Sequence, residues 1–189
     1  MQNFLPKVYC YINDYNLAEL SKLSNSINLI YRNYSKQNNL ETIIKLRNFC
    51  KKEKRKLFIS NNIRLALNLK LDGVYIPSFN KKINYSYLYN KPKKFSIIGS
   101  AHNIQEVKIK EKQGCKEIFI SSIFKIQKSK KFLGVIKFKL LANQSKNKII
   151  ALGGINEKNY KNLKSINSIG FASINWAKKN GLRKLRPLL

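Results

Sequence analysis

Eight short runs of aliphatic, β-branched or aromatic residues alternate along this chain with longer segments of helical periodicity, and that alternation constrains the fold more than any single motif does. The runs read as strands at Val8–Ile12, Ile27–Tyr31, Leu57–Ser60, Gly73–Ile76, Ser96–Gly99, Glu117–Ser121, Lys148–Leu152 and Ser168–Ala172. The segments between them predict helices at about Asn16–Ser24, Asn39–Lys52, Asn62–Leu69, Tyr85–Leu88, Ile104–Gln113, Gly134–Ala142, Glu157–Leu163 and Trp176–Asn180. Strands regularly separated by helices are the pattern of repeated βα units and hence of a parallel sheet. Eight such strands close most naturally on themselves. The expectation is therefore one α/β domain over residues 1–189, a compact (β/α)8 TIM barrel. At 189 residues the chain is short for that architecture, so its loops must be short as well.

Local signals support individual helices. Around the second, Ile43, Ile44, Leu46, Phe49 and Cys50 place an apolar face opposite Lys45, Lys51 and Lys52. Asn103 precedes Ile104-Gln105-Glu106 as an N-cap, with Glu106 spaced to complete a capping box, and Gly114 supplies the residue that ends this helix.

With 38 Lys+Arg against 9 Asp+Glu, the formal charge is +29. The basic residues are spread over the whole chain, with no single arm or tail, and the accompanying richness in Asn and Ile marks a general compositional bias. That pattern predicts weak, salt-sensitive attraction to polyanions and no specific nucleic-acid partner. Cys10, Cys50 and Cys115 lie far apart without a Cys-x-x-Cys pair, so they are expected as buried, reduced thiols rather than a disulfide framework or a zinc ribbon. No long apolar core follows a basic start near Met1, and no run approaches the roughly 18 apolar residues of a membrane span. The expected location is the cytoplasm, with no membrane partner.

Near the C-terminal end, Ile149-Ile150-Ala151-Leu152 runs into Gly153-Gly154-Ile155, and a second apolar segment, Ile169-Gly170-Phe171-Ala172, runs into Ser173-Ile174. In an eight-fold barrel the turns after the seventh and eighth strands commonly present backbone N–H groups to a phosphate. Gly153, Gly154, Ser173 and Ile174 are accordingly candidate phosphate-binding residues, and the ligand class is a phosphorylated small molecule. The bland alternative for Gly153-Gly154 is a tight turn that needs positive φ.

In this order along the chain, several segments resemble the motifs of one family of barrel proteins. Leu29-Ile30-Tyr31-Arg32 resembles its second-strand motif ending in Arg, and Ile59-Ser60-Asn61-Asn62 through Leu67 its Asn-Asp-x-x-x-Leu-Ala-Leu segment. Asp72-Gly73-Val74-Tyr75-Ile76 is similar to its Asp-Gly-Val-His-Leu, Ser100-Ala101-His102 to its Ser-x-His, and Ser121-Ser122-Ile123-Phe124 to its Gly-Pro-x-Phe turn. Ser129-Lys130 with Gly134 resembles the loop that carries the family lysine, and Ala151-Leu152-Gly153-Gly154-Ile155 is the nearest match.

The family so resembled is that of thiamine phosphate synthase and thiazole tautomerase (TenI), and the resemblance implies thiamine biosynthesis: a transferase that joins a pyrimidine methyl diphosphate to a thiazole phosphate. Diphosphate leaves, the pyrimidine stabilises the resulting cation, and the thiazole nitrogen captures it. It further implies Arg32 and Lys130 as diphosphate contacts, Ser100 as a nearby hydrogen-bond donor, and a dimer or higher homo-oligomer. It also implies Mg²⁺, but the two aspartates that hold the ion in the family align with Asn61 and Asn80, so no metal ligand is assigned. A hard divalent ion normally takes one or two carboxylates. Tyr34 stands where a second family basic residue belongs, and Ser122 where the tautomerase carries a histidine. His102, the one histidine, is read as pinning its loop, and Asn61, Asn80, His102 and Ser122 remain candidates to line the substrate. Lys81 and Lys82 could supply charge beside Asn80, or merely a solvated face. Because of these departures the alternative expectation is a catalytically altered or non-catalytic binder of a phosphorylated thiazole.

Overall fold

The computed structural model describes residues 6–34, 39–83, 91–126 and 131–173. The helices expected at Tyr85–Leu88 and Trp176–Asn180 lie outside the described residues, as do Lys130 and Ile174. The strands are β1 (Lys7–Ile12), β2 (Ile27–Tyr31), β3 (Leu57–Ser60), β4 (Gly73–Ile76), β5 (Ser96–Ala101), β6 (Glu117–Ile120), β7 (Lys148–Leu152) and β8 (Gly170–Ala172). They form a closed barrel in chain order, every pairing parallel, with Val8 aligned to Ile27 on one side and to Phe171 of β8 on the other.

Both faces of every strand are covered, which is why the strands read as nearly unbroken apolar runs. Successive side chains point alternately inward and outward. The inward set, Tyr9, Tyr11, Ile30, Phe58, Tyr75, Ile98, Phe119, Ile150 and Ala172, fills the barrel. Its rings meet edge to face: Tyr9 on Phe119 at 5.0 Å, Tyr75 on Phe119 at 5.7 Å and Tyr11 on Tyr75 at 5.5 Å between centroids. The outward set, including Val8, Leu29, Ile59, Val74, Ile118 and Ala151, joins the helices in a second cluster. Gly73 is demanded by this packing, since a Cβ there would stand 1.9 Å from Ser96 O and 2.8 Å from the Phe58 ring.

The helices are α1 (Leu17–Leu20), α2 (Leu40–Lys52), α3 (Ile63–Asn68), α4 (Ile104–Lys112) and α5 (Gly134–Asn143). Asparagine caps four of them: Asn16, Asn39, Asn62 and Asn103 each accept from the backbone N–H three residues on, at 3.1, 3.2, 3.0 and 2.9 Å. Each such cap stabilises its helix by about 1 kcal/mol. Gly114, at φ 72°, follows α4 as expected.

Several boundaries depart from the sequence reading. The first helix is a single turn rather than Asn16–Ser24. Where an α-helix was expected over Glu157–Leu163, the chain forms a 3-10 helix over Tyr160–Ser165. Asn156 Oδ1 takes the Lys158 N–H at 2.9 Å and Asn159 Oδ1 takes the Asn156 N–H at 2.9 Å, so local side-chain bonds compete with helix formation there. β5 runs on to Ala101, which places Ser100 inside the strand, and β6 stops at Ile120. On α2, Ile43, Leu46, Phe49 and Cys50 are buried but Ile44 is exposed. All three cysteines are free and buried, and burial pushes the Cys50 and Cys115 thiols up to about 12.

Candidate active site at the C-terminal mouth of the barrel

Arg32 follows β2 directly and is held there by its own N–H, which donates to Ile12 O at 2.8 Å. Its guanidinium lies over the Tyr11 ring, 4.3 Å from the centroid, and 5.6 Å from the Tyr34 ring, a cation–π arrangement that fixes the charge at the mouth. A cavity of about 460 Å³ opens here, lined by Tyr11, Asn13, Asp14, Asn16, Arg32 and Tyr34 among others. Beneath it, burial first and the Tyr75 hydroxyl second hold the Tyr11 phenol well above its ordinary range, and Tyr11 Oη has no hydrogen-bond partner of standard geometry. Burial raises Tyr75 as well, opposed by the hydroxyls of Ser100 and Tyr11. Ser100 is thus buried beside the Tyr75 phenol.

A second cavity, of about 440 Å³, lies beside α3 and is lined by Asn61, Ile63, Ile76, Phe79, Asn80, Lys81 and Lys82. It unites the two positions that the resemblance links to a metal. Asn80 Nδ2 donates to Asn61 Oδ1 at 2.6 Å, while Asn80 Oδ1 accepts the Lys82 N–H at 3.0 Å. A backbone N–H can only donate, so the orientation of both amides is determined. Each carbonyl oxygen already accepts one hydrogen bond, and no bond from the Asn61 amino group is found among the described residues. All nine acidic residues of the chain are among those described, and none lines this cavity. Among the described residues no group of three or more His, Cys, Asp and Glu could hold a metal ion. These residues do not fit Mg²⁺, which needs oxygen ligands turned toward it.

The two cavities share a rim. Tyr34, 59% exposed, meets Phe79, 63% exposed, with ring centroids 6.2 Å apart. The loop after β4 that carries Phe79 and Asn80 is anchored from α4: Lys110 Nζ donates to Pro77 O and Asn80 O, and Gln113 Nε2 to Asn80 O and Lys82 O. Sequence reasoning missed Phe79, Lys110 and Gln113. Nothing in the chain distinguishes one lysine or one exposed aromatic from its many neighbours.

At the opposite side of the mouth, Gly153 and Gly154 have φ 98° and 70°. A Cβ on Gly153 would stand 2.3 Å from Ser122 Oγ, and one on Gly154 would stand 2.6 Å from Lys125 O. The close approach of the loop after β6 therefore accounts for both glycines without a ligand. The turn is clamped by Asn159 Nδ2, which donates to Gly154 O at 2.8 Å. Ser173 spends its N–H on Tyr9 O at 3.1 Å and its hydroxyl on Ile155 O at 3.1 Å. Ser122 Oγ likewise donates to Phe124 O at 2.6 Å. His102 leans outward onto α4: Glu106 Oε2 accepts the His102 N–H at 2.7 Å and lies 2.9 Å from Nδ1. Glu106 thus closes the capping box one residue earlier than the sequence suggests, on His102 rather than Asn103.

A closed parallel barrel with its cation, its amide pair and its glycine turn at the C-terminal strand ends belongs to the class of (β/α)8 proteins in which βα loops carry the site. The family model described as thiamine monophosphate synthase matches residues 19–176, and the chain belongs to that family. It is 29% identical over 106 residues to a thiamine-phosphate synthase of Methanococcus vannielii, covering 55% of this chain and 50% of that protein. It is 29% identical over 158 residues to a thiamine-phosphate synthase of Prochlorococcus marinus subsp. pastoris, covering 79% of this chain and 44% of that one. The chain thus spans about half the length of these curated relatives. The solved thiamine phosphate pyrophosphorylase from Pyrococcus furiosus superposes with a TM-score of 0.76 at 18% identity, over 98% of this chain and 97% of that one, a likeness of fold. Among the described residues no helix is long and apolar enough to cross a membrane.

Proposed function

We propose that this barrel is a thiamine phosphate synthase, joining a pyrimidine methyl diphosphate to a thiazole phosphate. The observation that carries the reading is the shared mouth: Arg32 and the Asn61–Asn80 corner border neighbouring cavities joined through Tyr34 and Phe79. Arg32 brings positive charge to the first cavity, which Asp14 and Glu19 also line, and the second is lined by amides and lysines with no carboxylate, which suits a ligand carrying phosphoryl groups. The family membership supplies the reaction type, and the curated relatives bear the name of the synthase rather than of a non-catalytic binder.

In this reading Arg32 neutralises charge that grows on diphosphate as the carbon–oxygen bond to the pyrimidine methylene breaks, so its stabilisation is larger in the transition state than before it. The electron pair of that bond leaves with diphosphate, and the thiazole nitrogen then donates its own pair to the methylene cation. Lys130 adds positive charge to the same group, and the turn at Gly153 and Gly154 receives the thiazole phosphate with backbone from Ile174, Ser173 having its N–H and hydroxyl engaged by Tyr9 O and Ile155 O. Tyr34 and Phe79 offer flat faces for the aromatic rings. The test is a product assay for thiamine phosphate with both substrates. Wild-type protein should form product, and Arg32→Ala should lose at least about 100-fold in rate, the scale of one missing oxyanion donor. Full activity in Arg32→Ala would remove the assignment.

A further inference from the structure

We propose that the Asn61–Asn80 corner is a diphosphate subsite that works without a divalent metal, its loop held from behind by Lys110 and Gln113 instead of from the front by an ion. This rests on the reading of the ligand as a diphosphate. The hydrogen-bond direction within the corner carries the first half. With Asn80 Oδ1 taken by the Lys82 N–H and Asn61 Oδ1 by Asn80 Nδ2, the group presented to the cavity is the Asn61 amino group. An amino group repels a metal cation and donates to a phosphoryl oxygen. Two carboxylates in the same places would repel each other and need a cation between them; two amides bind each other directly. Lys81 and Lys82 line the same cavity and contribute the positive charge that an ion would otherwise bring.

Lys110 carries the second half. It is wholly buried in a chain whose other lysines mostly cover its surface. Its ammonium donates at 2.8 Å to each of Pro77 O, Asn80 O and Gln113 Oε1, so all three of its protons have acceptors. Gln113 completes the clamp by donating to Asn80 O at 2.9 Å and Lys82 O at 2.7 Å. Lys110 of α4 and Gln113, which caps that helix, thus hold the backbone of residues 77, 80 and 82, the segment that aims Asn80, Lys81 and Lys82. The barrel makes room for the long stem: a Cβ on Gly99 of β5 would lie 2.8 Å from Lys110 Cδ. Lys110 is a positioning residue, reaching the ligand only through the loop.

The test is calorimetric titration of the whole protein with inorganic pyrophosphate, in EDTA and in excess Mg²⁺, with thiazole phosphate titrated in parallel. Wild type should bind pyrophosphate with an affinity that changes less than threefold between the two conditions. Asn61→Asp, which turns a carboxylate oxygen toward the cavity, should weaken binding at least tenfold in EDTA and recover when Mg²⁺ is added. Lys110→Met should weaken pyrophosphate at least tenfold while thiazole phosphate affinity is retained; Gln113→Ala should do the same more mildly and serves if Lys110→Met does not fold. Binding of pyrophosphate only with Mg²⁺ would overturn this inference and leave the diphosphate reading standing. Absence of pyrophosphate binding in both conditions would overturn both. Unaltered pyrophosphate affinity in Lys110→Met and Gln113→Ala, or equal loss of both ligands, would overturn the positioning role.

Discussion

Replacing Gly153 with alanine isolates what the turn after β7 requires. The backbone sits at φ 98°, beyond the ordinary left-handed well, so any Cβ costs at least about 1–2 kcal/mol from local sterics alone. The new methyl would also lie 2.3 Å from Ser122 Oγ and 2.9 Å from Ser122 Cα. Rotating Ser122 moves only the hydroxyl, and that hydroxyl is bonded to Phe124 O at 2.6 Å, so the loop backbone must shift, at a cost of about 1–3 kcal/mol. The sum is about 2–5 kcal/mol, and for a chain of this size each kcal/mol lowers Tm by about 2–4 °C, giving a drop of about 4–20 °C. In a Ser122→Gly background the clash shrinks while the φ cost remains, so the same substitution should cost about 1–2 kcal/mol less. Urea unfolding of the four proteins of this cycle measures both numbers. A Gly153→Ala protein within 0.5 kcal/mol of wild type would refute this account of the turn, as would strict additivity with Ser122→Gly.

Tyr9→Phe keeps the ring against Phe58 and Phe119 but removes the hydroxyl that donates to buried Glu117 Oε2 at 2.6 Å, beside Lys7. The expected loss is about 1.5–3 kcal/mol in denaturant unfolding, and a loss below 0.5 kcal/mol would show that the bond adds nothing. Gly99→Ala should push Lys110 off its acceptors, seen as faster hydrogen exchange at the Lys82 amide; unchanged exchange would mean the stem has another route. Burial pulls Lys110 down from 10.5 to about 8 against the opposing pull of Cys115 and Glu106. Between about pH 8 and 10.5 the unfolded lysine is then protonated and the folded one is not, so the folded state gains up to about 3 kcal/mol as pH rises. Over the same window pyrophosphate binding should fall. Wild type should show that rise relative to Lys110→Met, and parallel stability profiles for the two would contradict it.

The placement of the strands, of the Asn103 cap and of the helix starts at Asn16, Asn39 and Asn62 was legible along the chain because these are local properties. A barrel strand buried on two faces needs apolar residues at nearly every position, and Asn16, Asn39, Asn62 and Asn103 each bond an amide three residues away. Helix type after β7 was less legible, since the competing Asn156 and Asn159 bonds depend on rotamers rather than on periodicity. Within the site, sequence alone marked Arg32, Asn61, Asn80 and the Gly153-Gly154 turn as places of interest, and showed that carboxylates are missing where a metal would sit. Only the tertiary structure decided what those residues offer. It brought Asn61 and Asn80 into one hydrogen bond and fixed its direction, and it set Tyr34 beside Phe79. From a chain full of lysines it enclosed Lys110, whose ammonium bonds carbonyls that lie 30 and 33 residues away along the chain. The reason is physical: strand and cap preferences are settled by neighbours within a few residues, whereas the direction of an amide and the burial of a charge depend on partners that only folding brings together.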